Sequence, residues 1–152
     1  MIPLNRIRFS ITFFLLFCAA CNDGGDLSER EPPRARELPS VSERPVRIGF
    51  DGPRFDACYG YGRVVRLNPR GDNYLSVRAA PSASADEVDR IGMGRGVSMC
   101  QQTGNWIGIV YPPDIEQPVD CGVGSPVPNV REYEGPCKSG WVNENFIQLI
   151  AG

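Results

Sequence analysis

Cysteine offers the most chemistry in this chain, which contains six cysteines and no histidine. Without histidine, the chain lacks the commonest general base and the usual activator of a serine or cysteine nucleophile. Four cysteines lie in the C-terminal two thirds of the sequence, at Cys58, Cys100, Cys121 and Cys137. They could form two disulfides or a four-thiolate zinc site. No two of these four cysteines form a C-x-x-C pair, which disfavours both zinc and a thiol oxidoreductase centre, so we expect disulfides.

Carboxylates provide the second set of candidates, Asp114, Glu116 and Asp120. Two carboxylates held at a fixed separation across a sugar can hydrolyse a glycosidic bond. These three lie in a proline-containing segment, where solvated surface charge is the simpler interpretation. The segment also lacks the spaced oxygen ligands and glycine turn of a calcium loop. We therefore predict no catalytic residue, no metal and no cofactor.

Aromatic side chains are better candidates for binding, because a ring offers a flat apolar face that suits sugars and peptides. We select five rings as ligand-binding candidates: Tyr59, Tyr61, Trp106, Tyr111 and Tyr133. Packing in the core is the alternative for each of them. Trp141 follows a glycine and precedes a valine in a predicted strand, and we expect it to be buried.

The N-terminus has the three zones of a secretory signal peptide. Arg6 and Arg8 form a positive region, an apolar run follows over residues 9–17, and Cys18-Ala19-Ala20 is a small-residue site. An uncleaved membrane helix is the alternative, but the apolar run is far shorter than the ~20 residues needed to span a bilayer. We predict a signal peptide over residues 1–20 and export of the remainder.

Cys21 directly follows this small-residue site and resembles the lipidated cysteine of bacterial lipoproteins. The resemblance implies cleavage before Cys21 and acyl chains on it, which would anchor the protein to a membrane, facing the periplasm. Cys18 stands where leucine is usual, so a soluble secreted product is the alternative. Asn22 follows the cysteine, and by resemblance to known sorting preferences it favours the outer membrane over the inner.

The segment over residues 21–49 is rich in charge and proline, and we predict a disordered linker there. After removal of Arg6 and Arg8, 14 basic residues face 18 acidic ones, a net charge of -4. Nucleic acid is therefore excluded as a partner, since a phosphate-binding surface needs a basic excess.

From about Phe50 onward, short alternating apolar runs separated by turn-forming residues predict an all-β fold of about five strands. The predicted strands cover residues 63–67, 74–78, 96–102, 106–111 and 138–149. Residues 83–90 are the only stretch compatible with a helix.

Four segments resemble the bacterial SH3-like domain family, in the family's order. YLSVRAAPS at residues 74–82 is similar to its opening strand and turn, and VDRIGMGRGV at 88–97 to its next segment. GNWIGIV at 104–110 resembles its tryptophan strand, and SGWVNENFI at 139–147 its closing Gly-Trp-Val hairpin. Residues 112–137 interrupt the pattern as an insertion.

This resemblance implies a small SH3-like β-barrel over residues 50–152 that recognises peptidoglycan or its stem peptides. Three disulfide pairings are open. We favour Cys121 with Cys137, closing the insertion, and Cys58 with Cys100, joining the N-terminal extension to a barrel strand. The alternative function is an interaction lipoprotein that docks another envelope protein through the loop 112–137.

Overall fold

The fold is described here from a computed structural model, for residues 41–116 and 119–152. The predicted signal peptide, Cys21 and most of the predicted linker lie outside these residues. These described ranges contain nine strands: β1 Arg47–Ile48, β2 Gly60–Val64, β3 Leu75–Arg78, β4 Glu87–Ile91, β5 Gly96–Thr103, β6 Trp106–Tyr111, β7 Arg131–Glu132, β8 Lys138–Asn143 and β9 Ile147–Ala151. One 3-10 turn, Glu144–Phe146, is the only helical element in the described parts of the chain.

The all-β prediction is confirmed. Seven strands form one antiparallel sheet in the order β4-β3-β8-β6-β5-β2-β9, and β1 pairs with β7 in a separate ribbon. The sheet is open rather than a closed barrel, because its edge strands β4 and β9 do not pair with each other over the described residues. The estimate of five strands was too low by four. Of the additional strands, β1 lies in the predicted linker, β7 in the insertion, β4 at the stretch compatible with a helix, and β9 at the end of the strand predicted over 138–149.

Two of the predicted elements were wrong. The segment 83–90 is not helical, because the chain turns at Ser82–Ala85 and then forms β4 against β3. Its backbone therefore completes the sheet instead of bonding within a helix. The single strand predicted over 138–149 is interrupted at Asn143, whose side chain accepts a hydrogen bond from the Asn145 N–H at 3.0 Å. This turn sends β9 to the opposite edge of the sheet, beside β2.

Two hydrophobic cores lie on opposite faces of this sheet. In β6, Ile107, Ile109 and Tyr111 belong to the first core, whereas Val110 belongs to the second. Successive strand residues point to opposite faces. Nearly all residues of β6 are therefore buried, because a hydrophobic core packs against each face of the sheet.

The second core includes residues from two segments outside the five predicted strands. Val46 and Ile48 from the N-terminal segment, and Val123 and Val127 from the insertion, share this core with Trp141 of β8. Val46 and Ile48 are each only 1% exposed. The folded region therefore begins ahead of the predicted start near Phe50, and the last residues of the predicted linker are part of the core.

Candidate functional site

Tyr61 is the most accessible of the five predicted binding rings. It lies on β2 opposite Ser98 of β5, and 44% of its surface is exposed. Its ring extends across Gly96, where a Cβ atom would lie 1.7 Å from the tyrosine hydroxyl oxygen. A glycine at position 96 therefore makes room for the ring on this face of the sheet.

Two clefts adjoin at Tyr61. The loop-side cleft has a volume of about 620 Å³ and lies between the sheet at Tyr61 and Ser98 and the insertion at Ile115 and Val119–Gly124. The N-terminal cleft, of about 660 Å³, lies between Tyr61 and residues Asp51–Asp56 of the N-terminal extension. Both volumes are in the range of known small-ligand sites.

Each of the two clefts is lined by one arginine and two aspartates. The loop-side cleft is lined by Arg95, Asp114 and Asp120. In the N-terminal cleft the charged side chains are Arg54, Asp51 and Asp56. Each cleft can therefore offer a guanidinium to an anionic group and carboxylates to a cationic one.

Tyr59 is half-buried in the wall of the N-terminal cleft. Its hydroxyl group is inaccessible to solvent and has no hydrogen-bond partner among residues 41–116 and 119–152. Burial raises the pKa of Tyr59, and the negative charges of Asp51 and Glu144 raise it further. The phenol therefore stays protonated at neutral pH and can donate a hydrogen bond.

Tyr111, also predicted to bind a ligand, belongs to a partly buried polar network. The residue is 2% exposed, and its hydroxyl donates to Asp89 Oδ2 at 2.8 Å. Lys138 Nζ donates to the same oxygen at 2.9 Å. Burial, followed by the hydrogen bond to Asp89, raises the pKa of Tyr111 well above its usual value. This tyrosine joins β4 to β6, and it also lines a smaller cleft of about 350 Å³ together with Asp89 and Lys138.

Tyr133 and Trp106 likewise have structural contacts. The Tyr133 hydroxyl donates to the Cys121 carbonyl oxygen at 3.0 Å and accepts from the Cys137 N–H at 3.1 Å. It thus bridges the two ends of the disulfide loop from inside. Trp106 is half-buried and packs against the second core, away from both clefts. The structure therefore brings only Tyr59 and Tyr61 together at one site.

Two of the three candidate carboxylates form hydrogen bonds within their own turns. Asp114 Oδ1 accepts from the Glu116 N–H at 2.9 Å, and Asp120 Oδ1 accepts from the Gly122 N–H at 2.8 Å. These are local turn contacts of the kind that aspartate makes in loops. Within the described ranges, no group of three or more His, Cys, Asp or Glu side chains could hold a metal ion.

All four downstream cysteines form disulfides, Cys58–Cys100 and Cys121–Cys137. This is the pairing favoured from the sequence, and it removes the thiolates that a zinc site would need. Cys58 lines the N-terminal cleft and Cys121 the loop-side cleft, so a covalent link braces one wall of each. Two disulfides fit an oxidising, exported environment. Among residues 41–116 and 119–152, no helix has the length and apolar character to cross a membrane.

Sequence reasoning named Asp114 and Asp120 but missed the other charged residues of the clefts, above all Arg54 and Arg95. Arg95 entered the sequence analysis only as part of the segment 88–97, and Arg54 belongs to no motif named there. A signal for Tyr61 is present in retrospect, since Gly60 and Gly62 flank it within a strand. Glycine in a strand often marks the close approach of another group.

A scan against models of known protein families found no match, and searches of curated proteins and of solved structures found none either.

Proposed function

We propose that this domain is a non-catalytic binding module of the cell envelope that recognises peptidoglycan or its stem peptides at the clefts beside Tyr61. The observation that carries the proposal is the exposed Tyr61 ring standing between two clefts, each lined by an arginine and two aspartates. Stem peptides are short chains with carboxylates and amines attached to amino sugars. An aromatic face with charges of both signs matches that chemistry.

The order of structural elements supports a relationship to the SH3-like family. The four segments that resemble the family fall on β3, on β4 to β5, on β6, and on β8 to β9. Gly104 has a φ of 55° in the two-residue connection between β5 and β6, as a tight hairpin requires. We propose that residues 74–111 and 138–151 form an SH3-like unit, to which the insertion adds a wall.

Export and lipidation complete the proposal. The signal-peptide zoning of residues 1–20 and the lipobox-like position of Cys21 suggest a lipoprotein held at the membrane, in the outer membrane by virtue of Asn22. Mass spectrometry of the mature protein should show an N-terminal Cys21 carrying acyl chains. Cys21→Ser should abolish that mass and move the protein to the soluble fraction. A native chain without acyl mass would contradict the anchor and leave export intact.

Retention on purified peptidoglycan sacculi tests the binding function. We expect the native chain to be retained at low salt and Tyr61→Ala to reduce retention at least about tenfold, as loss of a central aromatic contact typically does. Tyr74→Ala is the matched control, because Tyr74 is a partly exposed tyrosine outside both clefts. Circular dichroism should show both variants folded. A native chain that sacculi do not retain at low salt would contradict the function.

The second candidate function is docking of another envelope protein, and the exposure of the Ile115 side chain supports it. This isoleucine of the insertion is 80% exposed at the margin of the loop-side cleft. Large exposed aliphatic side chains are common anchors in protein interfaces. Crosslinking in intact cells should then yield one dominant adduct that Ile115→Ser abolishes. If the adduct pattern is unchanged by Ile115→Ser, this alternative fails.

A further inference from the structure

The two clefts share a wall. Tyr61, Ser98, Val123 and Gly124 line both of them. Tyr61 and Ser98 belong to the sheet, while Val123 and Gly124 belong to the insertion. A ligand that crosses the Tyr61 ring would therefore contact residues of both clefts.

The charges repeat across this shared wall. Arg95 lines the loop-side cleft and Arg54 the N-terminal cleft, and each is accompanied by two aspartates. The two sets of charged residues come from different segments of the chain, so their similarity does not reflect a repeated sequence motif. A ligand complementary to both clefts needs one anionic and one cationic group at each end.

We infer that the two clefts are tandem subsites for one extended ligand with two zwitterionic units, and that the domain selects cross-linked pairs of stem peptides over single ones. The inference rests on the proposed function and deepens it. In a cross-linked pair, a covalent bond joins two peptides that each carry carboxylates and an amine. One peptide would lie in each cleft, with the junction crossing Tyr61.

The covalent bond between the two peptides explains why the domain would prefer a cross-linked pair to a single peptide. When the first unit is bound, the second is held near its own subsite, so that its binding becomes intramolecular and the overall affinity rises. The gain requires that the subsites keep a fixed separation. Disulfides brace both clefts, through Cys58 in one wall and Cys121 in the other. The site is thus organised before the ligand arrives.

Calorimetric titration with two soluble fragment preparations tests this selectivity. Single stem-peptide fragments and cross-linked dimers are released from the same sacculi and purified. We expect the dimer to bind one per domain and at least about tenfold more tightly than the single fragment. Arg54→Gln should bring the dimer affinity down towards that of the single fragment, because only one subsite remains complete.

Three further variants complete the experiment. Asp114→Asn removes charge from the other cleft while keeping the side-chain oxygen that accepts from Glu116, and it should also reduce the preference for the dimer. Arg131→Gln, at an exposed position outside both clefts, is the control and should leave the preference unchanged. Tyr61→Ala should weaken both fragments, since both contact the shared wall.

The outcomes separate the inference from the function on which it rests. Equal affinity for the two fragments, both lowered by Tyr61→Ala, would overturn the tandem arrangement and leave the proposed function standing. Two single fragments bound per domain, with no preference for the dimer, would also overturn it. Absence of binding by either fragment, together with no retention on sacculi, would overturn the proposed function itself.

Discussion

The Tyr61 hydroxyl group occupies the space that a side chain at Gly96 would need, with an ideal Cβ at residue 96 only 1.7 Å from the hydroxyl oxygen. Gly96→Ala should therefore displace the ring from between the clefts. The ring is largely exposed and can swing away, so we expect a stability loss of at most about 1 kcal/mol. Sacculus retention should fall as far as in Tyr61→Ala. Urea unfolding and the retention assay measure the two effects, and unchanged retention would show that the ring position is unimportant.

Gly135→Ala should destabilise the fold more than Gly96→Ala does, because the tyrosine that it would displace is held in place. An ideal Cβ at residue 135 would lie 2.3 Å from the Tyr133 hydroxyl oxygen. Two hydrogen bonds, to the Cys121 carbonyl and from the Cys137 N–H, hold that hydroxyl in place. Displacing it would break both, so we expect a stability loss of about 2 kcal/mol. Equal unfolding midpoints for Gly96→Ala and Gly135→Ala would contradict this distinction between a free ring and a fixed one.

The strands were predictable because their signals are local. Alternation of apolar residues with turn formers located β3, β5 and β6 to within a residue at each end. The β4 prediction failed because residues 83–90 contain alanine and glutamate, which favour helices, and only the presence of β3 beside them decides for a strand. Open or closed topology depends on where β9 pairs, and no local pattern encodes that choice.

The site was less predictable than the fold. Of the five candidate rings, Tyr59 and Tyr61 both line the N-terminal cleft. Tyr111 and Tyr133 carry the same residue type, and their hydroxyl groups form hydrogen bonds within the fold. What separates the two pairs is the partner of each hydroxyl group: Tyr111 bonds to Asp89 of another strand, and Tyr133 bonds to both ends of the disulfide loop, which only the folded chain brings together.

Tyr111→Phe should measure the network that joins β4 to the central strands. The substitution removes the hydroxyl that donates to Asp89 Oδ2 at 2.8 Å and keeps the ring in the first core. A hydrogen bond to a charged group contributes about 1.5–3 kcal/mol, and we expect the lower end, because Lys138 still donates to Asp89. Urea unfolding at pH 7 gives the value. Tyr74→Phe is the control and should leave the unfolding midpoint unchanged.

Asp89 should also make the domain sensitive to acid. Partial burial alone would raise its pKa, but hydrogen bonds from Lys138, the Arg90 N–H and Tyr111 outweigh burial and lower the pKa. A carboxyl group with a lowered folded pKa contributes stability above its unfolded value of about 4 and loses that contribution as pH falls through the folded pKa.

The test is the free energy of unfolding followed from pH 7 down to pH 2. Asp89→Asn should be less stable than the native chain at pH 7, and the difference should shrink below about pH 4. Glu87, whose pKa is lowered by hydrogen bonds from Ser76 and Arg90, keeps part of the acid dependence in the variant. Asp86→Asn, at an exposed position beside them, is the control. If the free energies of unfolding of the native chain and of Asp89→Asn differ by the same amount from pH 7 to pH 2, the lowered pKa of Asp89 is contradicted.

The N-terminal boundary of the fold gives the last prediction. The Trp141 Nε1–H donates to the Arg44 carbonyl oxygen at 2.6 Å, and Val46 and Ile48 of the same segment belong to the core that contains the buried ring. A chain that begins at Phe50 would leave this indole N–H unpaired and expose the second core. Losing two buried aliphatic side chains costs about 1.5–3 kcal/mol each, and the unpaired donor about 1–3 more. That sum approaches the whole stability of a small domain.

A chain beginning at Val41 should therefore unfold cooperatively in urea, whereas one beginning at Phe50 should show no cooperative transition. Equal midpoints for the two chains would show that the N-terminal segment is dispensable and that the first core suffices for folding.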